Sequence, residues 1–350
     1  MKKIVLAIFT LQGNGAERFA LTMAKALSDN GHEAHLVYFK DIIELPVPEN
    51  INLHFFNYQK YRKIPRSFRT TIAAKAFDKF VLNTIGEPDL VLSNLYPVDM
   101  ILAHSRLPNV HLVIHNTLSQ EYSDTLSSAF ISKLEKTYLS KPCIAVSRGV
   151  KEDFINIFGS KSSIKTIHNP IDVEAVKHGA NEFVTDYEGY IVHVGKFKAQ
   201  KRHDILIKAY ALAKIPQKLI LVGTGDLLPE VKNLVKELRI ENKVIFAGFQ
   251  KNPYPLIKNA DLMVVSSDFE GFSIAILEAL ALGTPVISTD CPSGPNEVLP
   301  SKNLVPVGDV NKLAFKIKNA SEHSEDYTVE LISEFLPQNT IQKYLNLTDY

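Results

Sequence analysis

Short runs of β-branched and other apolar residues alternate with helix-patterned stretches along nearly the whole chain, and this alternation restricts the fold more than any other feature. In the first half the runs are Ile4–Phe9, Ala34–Phe39, Leu90–Ser93, Val110–His115, Cys143–Val146 and Ile164–Ile167. In the second they are Tyr190–Val194, Lys218–Val222, Lys243–Ala247, Leu262–Val265, Pro285–Ser288 and Leu304–Pro306. Most are apolar throughout, the pattern of parallel strands covered by helices on both faces. Between them lie helical stretches such as Ala16–Ser28, stopped at Asn30-Gly31, and Asp204–Ala213, Leu227–Leu238 and Ser273–Leu282. Each half reads as a doubly wound α/β domain.

A chain of 350 residues is too long for one ordinary core and suits two. The weakly patterned stretch Asn169–Asp186 fits the link between them. The expected division is an N-terminal domain over 1–175, a C-terminal domain over 176–330, and a helical segment over 331–350 able to pack back on the first domain. Ligands of open α/β sheets bind beyond the carboxyl ends of the strands. Two such domains facing each other would hold a substrate in the cleft between them.

Composition excludes several classes of function. The formal net charge is +1, without the basic excess of a general nucleic-acid binder, so no nucleic-acid partner is expected. Charge is uneven, however: residues 1–180 carry 21 Lys and Arg against 17 Asp and Glu, and the remainder 18 against 21. Cys143 and Cys291 form neither a disulfide framework nor a zinc spacing and are expected to be buried. The opening MKKIVLAIFT runs into a glycine turn without a small-residue cleavage site, so it reads as a first strand rather than a signal peptide. No run reaches the ~18–20 apolar residues of a spanning helix. The expected location is the cytoplasm, with access to the inner face of the cytoplasmic membrane. Tyr58–Phe80 bears on that access: it holds seven basic residues and one acid, interleaved with Phe68, Ile72, Phe77 and Phe80. Such a segment suits docking to anionic lipid, or a packed amphipathic helix with a solvated basic face.

Three motifs fall at strand ends or helix starts. In TLQGNGAER, Gly13 and Gly15 free the backbone to turn so that N–H groups can face an anion. A dinucleotide fold would place a third glycine where Arg18 stands; Glu33 alone is a weak sign of that fold, and a turn without a ligand is a competing reading. In VGKFKAQKR, Lys196, Lys198, Lys201 and Arg202 cluster at a strand end just before a helix, which suits a diphosphate or, more plainly, a solvated loop. In DFEGFSIAILE, Glu270 lies in the loop after a strand and Glu278 lies eight positions on, within an apolar helix. The first can accept hydrogen bonds from sugar hydroxyls and the second can grip a ribose diol. A buried acid must be paired or functional, whereas an exposed helical stripe would leave Glu278 with neither demand.

The run EGFSIAILEALALGTPVISTD resembles the E-x7-E donor motif of glycosyltransferase family 4, the retaining family of GT-B fold. The resemblance covers nearly the whole chain in order. GNGAERFALTMAKAL is similar to the first glycine loop and helix, AVSRGVKED and HNPID to the end of the N-terminal domain and the crossing, and GKFKAQKRHDILIKA to the phosphate-binding lysine segment. LVGTGDL and VIFAGF resemble the strands that follow, and CPSGPNEVL a segment of members that build bacterial surface polysaccharides.

The resemblance implies a GT-B architecture of two Rossmann-like domains and a role for each matching residue. Lys201 matches the lysine on the donor diphosphate, and Lys196 stands where an arginine is usual, keeping the charge but losing the two-pronged geometry. Glu270 matches the glutamate on the transferred sugar, and Glu278 the one on the ribose. Gly271, Phe272 and Ser273 would lie near the sugar and phosphates, while Gly13 and Gly15 would close on the diphosphate from the other domain. His115 matches a histidine near the reacting centre, or is a satisfied strand-end histidine. His111 and His115 are too far apart along a strand to share a metal, Asp-x-Asp is absent, and no metal or other cofactor is expected. The implied partners are a nucleotide sugar, expected to be UDP-linked, and a glycan or lipid-linked saccharide acceptor. An epimerase of the same fold and a non-catalytic nucleotide-sugar-binding subunit are the alternatives.

Overall fold

The computed structural model describes residues 1–159 and 163–348. Among these the chain forms thirteen strands in two sheets, parallel throughout, in two compact units. The first unit comprises Met1–Pro170 with Ser333–Tyr350, and the second Ile171–Ile332. Residues 349 and 350, part of the helical segment expected from sequence, lie outside the described residues.

The sheet of the first unit contains β1 (Lys3–Ile8), β2 (Glu33–Tyr38), β3 (Asn52–Phe55), β4 (Leu90–Asn94), β5 (Val110–Ile114), β6 (Cys143–Ala145) and β7 (Ile164–Thr166). Its order is β3-β2-β1-β4-β5-β6-β7, so the direction of winding reverses between β1 and β4, where Leu6 pairs with Leu92. Ile4 to Ile8 are fully buried. The helix Gly15–Asp29 covers them with Ala16, Phe19, Ala20, Met23, Ala24 and Leu27, and Gly31 takes the left-handed φ of +77° just past its end. β3 was not expected from sequence. It is an edge strand with no fully buried residue, so it lacks the continuous apolar run that marks the others.

The C-terminal segment belongs to this unit. Tyr344, on the helix Pro337–Leu345, is buried with its ring 6.1 Å from that of Phe19, and the ring of Phe335 meets His168 at 5.5 Å.

Residues 58–80 also pack here, as a short turn at Tyr58–Tyr61 followed by the helix Arg66–Thr84. Ala73, Ala74, Phe77 and Val81 face inward, and Phe80 lies 5.6 Å from Phe56. The outward stripe is Phe68, Ile72, Lys75, Lys79 and Leu82, spaced three or four apart, with Phe68 63% and Ile72 42% exposed. Of the apolar residues interleaved with the cations, Phe77 is therefore core and Phe80 is half-buried against Phe56. The only acid of the segment, Asp78, turns to the loop before β5, accepting from Ser105 Oγ at 2.6 Å and Arg106 N at 2.8 Å.

The sheet of the second unit contains β8 (Tyr190–Val194), β9 (Lys218–Val222), β10 (Val244–Gly248), β11 (Leu262–Val265), β12 (Val286–Thr289) and β13 (Leu304–Val305), in the order β10-β9-β8-β11-β12-β13. Winding reverses between β8 and β11. Successive residues face opposite layers: Ile191, Leu219, Val264 and Ile287 pack with the helices His203–Ala213 and Val310–Glu322, while Tyr190, Val192, Ile220 and Met263 pack with Ile274–Leu282. Each such Leu, Ile or Val contributes about 1.5–3 kcal/mol on burial. Cys143 and Cys291 are buried, which pushes both thiols up and leaves them as small apolar residues.

Candidate active site

At the carboxyl end of β8 the chain crosses over the loop that leaves β9. Gly195 N donates to Val222 O at 3.0 Å and Phe197 N to Thr224 O at 2.9 Å. This approach demands glycine on the other side. Gly223 and Gly225 have φ of +144° and +155°, and a Cβ on them would lie 2.1 Å from Gly195 O and 2.5 Å from Phe197 O. The basic segment is thereby held at the strand end and turns through Ala199–Lys201 into the helix His203–Ala213.

The loop leaving the neighbouring β11 carries Glu270 to meet it. Lys201 Nζ donates to Glu270 Oε1 at 2.5 Å, and Ser267 Oγ donates to the same oxygen at 2.6 Å. Ser293 Oγ donates to the Glu270 carbonyl. Glu270 is only 5% exposed. Burial alone would raise its pKa; the Lys201 ammonium, the Ser267 hydroxyl and Lys198 outweigh it and hold the carboxyl below the usual range. Among the described residues its side-chain hydrogen bonds use Oε1, which leaves Oε2 for a ligand hydroxyl.

Beyond Glu270 the helix Ile274–Leu282 begins. Its N-cap, Ser273, makes no side-chain capping bond, so the first N–H groups stand available to an anion. Gly271 and Phe272 are buried, and a Cβ on Gly294 would lie 3.2 Å from Gly271 O and Phe272 Cα, so this turn too is pressed between backbones. Glu278 is 3% exposed, which removes the exposed-stripe reading. Lys196 is exposed and makes no ion pair among the described residues.

Two histidines that sequence reasoning passed over form the wall beside Lys201. His193 Nδ1 donates to Val264 O at 2.8 Å; the ring of His203 stacks on Phe197 at 4.1 Å and meets His193 edge-on at 4.7 Å. Burial lowers His193 to about 4, and burial with His193 and Lys201 nearby lowers His203 to about 2, so both are neutral rings. A histidine inside the otherwise apolar YIVHV and the serine pair after LMVV were the available signals.

In the first unit, Gly13 takes a φ of +97° after β1 and Gly15 opens the helix Gly15–Asp29. The buried Glu17, absent from the sequence reading, accepts from Thr10 Oγ1 at 2.5 Å and from Asn14 N at 2.7 Å. A carboxylate thus already stands at this helix N-terminus, where the dipole favours it, and an anion reaching Gly13 and Gly15 would share the turn with that charge.

His115 lies at the end of β5, with Nε2 2.8 Å from Asn94 Oδ1. Asn94 Nδ2 donates to Ala7 O and Leu92 O, both at 3.2 Å, which turns its oxygen to His115 and makes Nε2 the donor. Burial lowers His115 to about 3. The ring is therefore neutral at physiological pH. The structure brings Lys201 and Glu270 together in the second unit, while His115, Gly13 and Gly15 belong to the first.

Residues 13–175 match the family described as Glycosyltransferase Family 4, and residues 177–329 the one described as Glycosyl transferases group 1. The N-acetylgalactosamine-N,N'-diacetylbacillosaminyl-diphospho-undecaprenol 4-alpha-N-acetylgalactosaminyltransferase of Campylobacter jejuni is 30% identical over 306 residues, covering 85% of this chain and 83% of that protein. S. aureus TarM, solved with Fondaparinux, alpha-GlcNAc-glycerol and UDP, matches over 100% of both chains with a TM-score of 0.76 and 14% identity. Anabaena HepE, solved with UDP and glucose, matches over 100% of this chain and 98% of its own with a TM-score of 0.75 and 19% identity. The structural likenesses give the fold as GT-B, with two Rossmann-like domains, and together with both sequence matches they establish that the chain belongs to glycosyltransferase family 4.

Proposed function

We propose that the protein is a retaining, metal-independent transferase that moves a hexose or N-acetylhexosamine from a UDP-sugar to a glycan or lipid-linked acceptor in the synthesis of bacterial surface polysaccharide. The observation that carries this reading is the Lys201–Glu270 pair beside an uncapped helix N-terminus at the switch point of the second sheet. Lys201 spends one N–H on Glu270 and keeps two for a diphosphate; the N–H groups after Gly271–Ser273 add to its pull. Glu270 would hold a hydroxyl of the transferred sugar and Glu278 the ribose diol. Lys196, Gly13 and Gly15 would attend the phosphates, and the neutral His115 would orient the sugar.

As the anomeric carbon–oxygen bond breaks, negative charge grows on the departing UDP, where preorganised cations and dipoles lower the barrier. In the retaining course proposed, the acceptor oxygen attacks from the face the phosphate leaves. The new carbon–oxygen bond forms there, and the acceptor proton passes to a phosphate oxygen. Bound UDP in TarM and HepE and the diphospho-undecaprenol named for the Campylobacter relative support the donor and acceptor classes. No helix among the described residues is long and apolar enough to cross a membrane. Contact with a lipid-linked acceptor is assigned to the basic face of Arg66–Thr84 and the exposed Lys60, Arg62 and Lys63 preceding it.

The test is a thermal-shift panel of UDP, GDP, ADP and their sugar conjugates on the wild type and on Glu278→Ala. A ligand at a hundred times its Kd stabilises the fold by about 2.7 kcal/mol. A shift with uridine ligands that disappears in the variant is expected. No shift with any nucleotide would overturn the reading.

A further inference from the structure

The geometry points to Arg202 as a positioning residue that sets the Lys201–Glu270 pair by locking the two loops that carry it. The inference deepens the transferase reading and rests on it. Arg202 follows Lys201 directly and has φ +46° and ψ +49°, a left-handed conformation that glycine adopts freely and other residues only at a cost in backbone strain. An arginine there calls for a reason, and its side chain supplies one. Nε and Nη2 donate to the two oxygens of Asp204 at 2.9 and 3.1 Å, and Nη1 donates to the two oxygens of Asp268 at 2.9 and 3.1 Å.

Asp268 stands two residues before Glu270. Around this link the same two loops are laced by Asp268 N to Gln200 O at 2.9 Å, Gln200 Nε2 to Phe269 O at 2.6 Å and Ser266 Oγ to Lys201 O at 2.8 Å. The left-handed turn lets consecutive side chains diverge, Lys201 to Glu270 and Arg202 to Asp268. With four bonds to two carboxylates the guanidinium is engaged by protein, so it acts through the loops rather than on the ligand.

Titration calorimetry with UDP and UDP-N-acetylglucosamine on the wild type, Arg202→Gly, Arg202→Lys, Asp268→Asn and the Gly/Asn double variant tests this, with melting temperature followed in parallel. Glycine relieves the backbone, so Arg202→Gly should melt no lower than the wild type yet bind UDP about tenfold more weakly. Asp268→Asn should weaken binding similarly, the double variant should be no worse than the weaker single, and lysine should recover part of the loss. If Arg202 touched phosphate itself, Asp268→Asn would free it and hold or tighten UDP binding; that result, or wild-type affinity in Arg202→Gly, overturns the proposal. A wild type that binds neither UDP nor its sugar conjugate removes the UDP-donor reading first, and this inference with it.

Discussion

Lys201 Nζ lies 2.5 Å from Glu270 Oε1 although 69 residues separate them, because β8 and β11, whose ends lead to the two residues, are neighbours at the point where the sheet reverses its winding. The pair is largely buried, so each charge depends on the other. Removing one partner of such a pair costs about 3–5 kcal/mol, since the survivor is left in a poor solvent.

Lys201→Ala should therefore lose about 3 kcal/mol at pH 7 and reverse the pH dependence contributed by Glu270. In the wild type the folded carboxyl titrates below its ordinary 4.5, so its contribution is present above 4.5 and lost as pH falls through the folded value. Without the ammonium, burial raises the folded value above 4.5, and stability is then lost as pH rises. Urea unfolding at pH 4, 5.5 and 7 reads both slopes. A second change, Glu270→Gln, should restore most of the loss at pH 7.

Asp99 provides a separate pH effect in the first unit. It is buried, accepts from Ser93 Oγ at 2.6 Å and Tyr138 OH at 3.1 Å, and burial outweighs both bonds to raise its pKa from 3.8 to about 7. The folded protein holds the proton longer than the unfolded chain, so stability from this group is full below 3.8 and declines as pH rises to about 7. The decline amounts to about 4 kcal/mol at 1.36 kcal/mol per unit. Asp99→Asn should abolish it and be more stable than the wild type at pH 8; an unchanged slope would show that another group carries the effect.

Gly223→Ala should destabilise by roughly 3 kcal/mol, combining a strained backbone with contact against Gly195 O. Gly31→Ala has the same kind of positive φ but nothing within 4 Å of its Cβ, and should cost only about 1 kcal/mol. Denaturant midpoints of the two variants separate close approach from conformation. Equal losses would mean that the loop after β9 yields without cost.

Neutralising Lys60, Arg62, Lys63 and Arg66 should weaken binding to phosphatidylglycerol vesicles about a thousandfold, at about 1 kcal/mol for each cation. Binding should also fall on adding salt and on Phe68→Ser. Sedimentation of vesicles with the wild type and the variants measures it. Failure of the wild type to bind, or unchanged binding by the quadruple variant, would refute a lipid-facing role for this helix.

Sequence by itself determined what depends on neighbours in the chain. Continuous apolar runs announced twelve of the thirteen strands, the glycine turns marked their exits, and Glu270 and Glu278 were visible together because one loop and one helix carry both. Burial of Glu278 was foreseen only as one of two readings, since an apolar helix does not state which side it covers. The tertiary structure alone decided what depends on strand order: that Lys201 pairs with Glu270, that Arg202 closes on Asp268, that Asn94 orients His115, and that Asp78 turns to Ser105. It also decided that residues from Ser333 onward join the first unit and that β3, too exposed to show a run, completes the sheet edge. The physical reason is range. Hydrophobic periodicity is written within a few residues, whereas a hydrogen bond between two loops exists only after the sheet has placed their strands side by side.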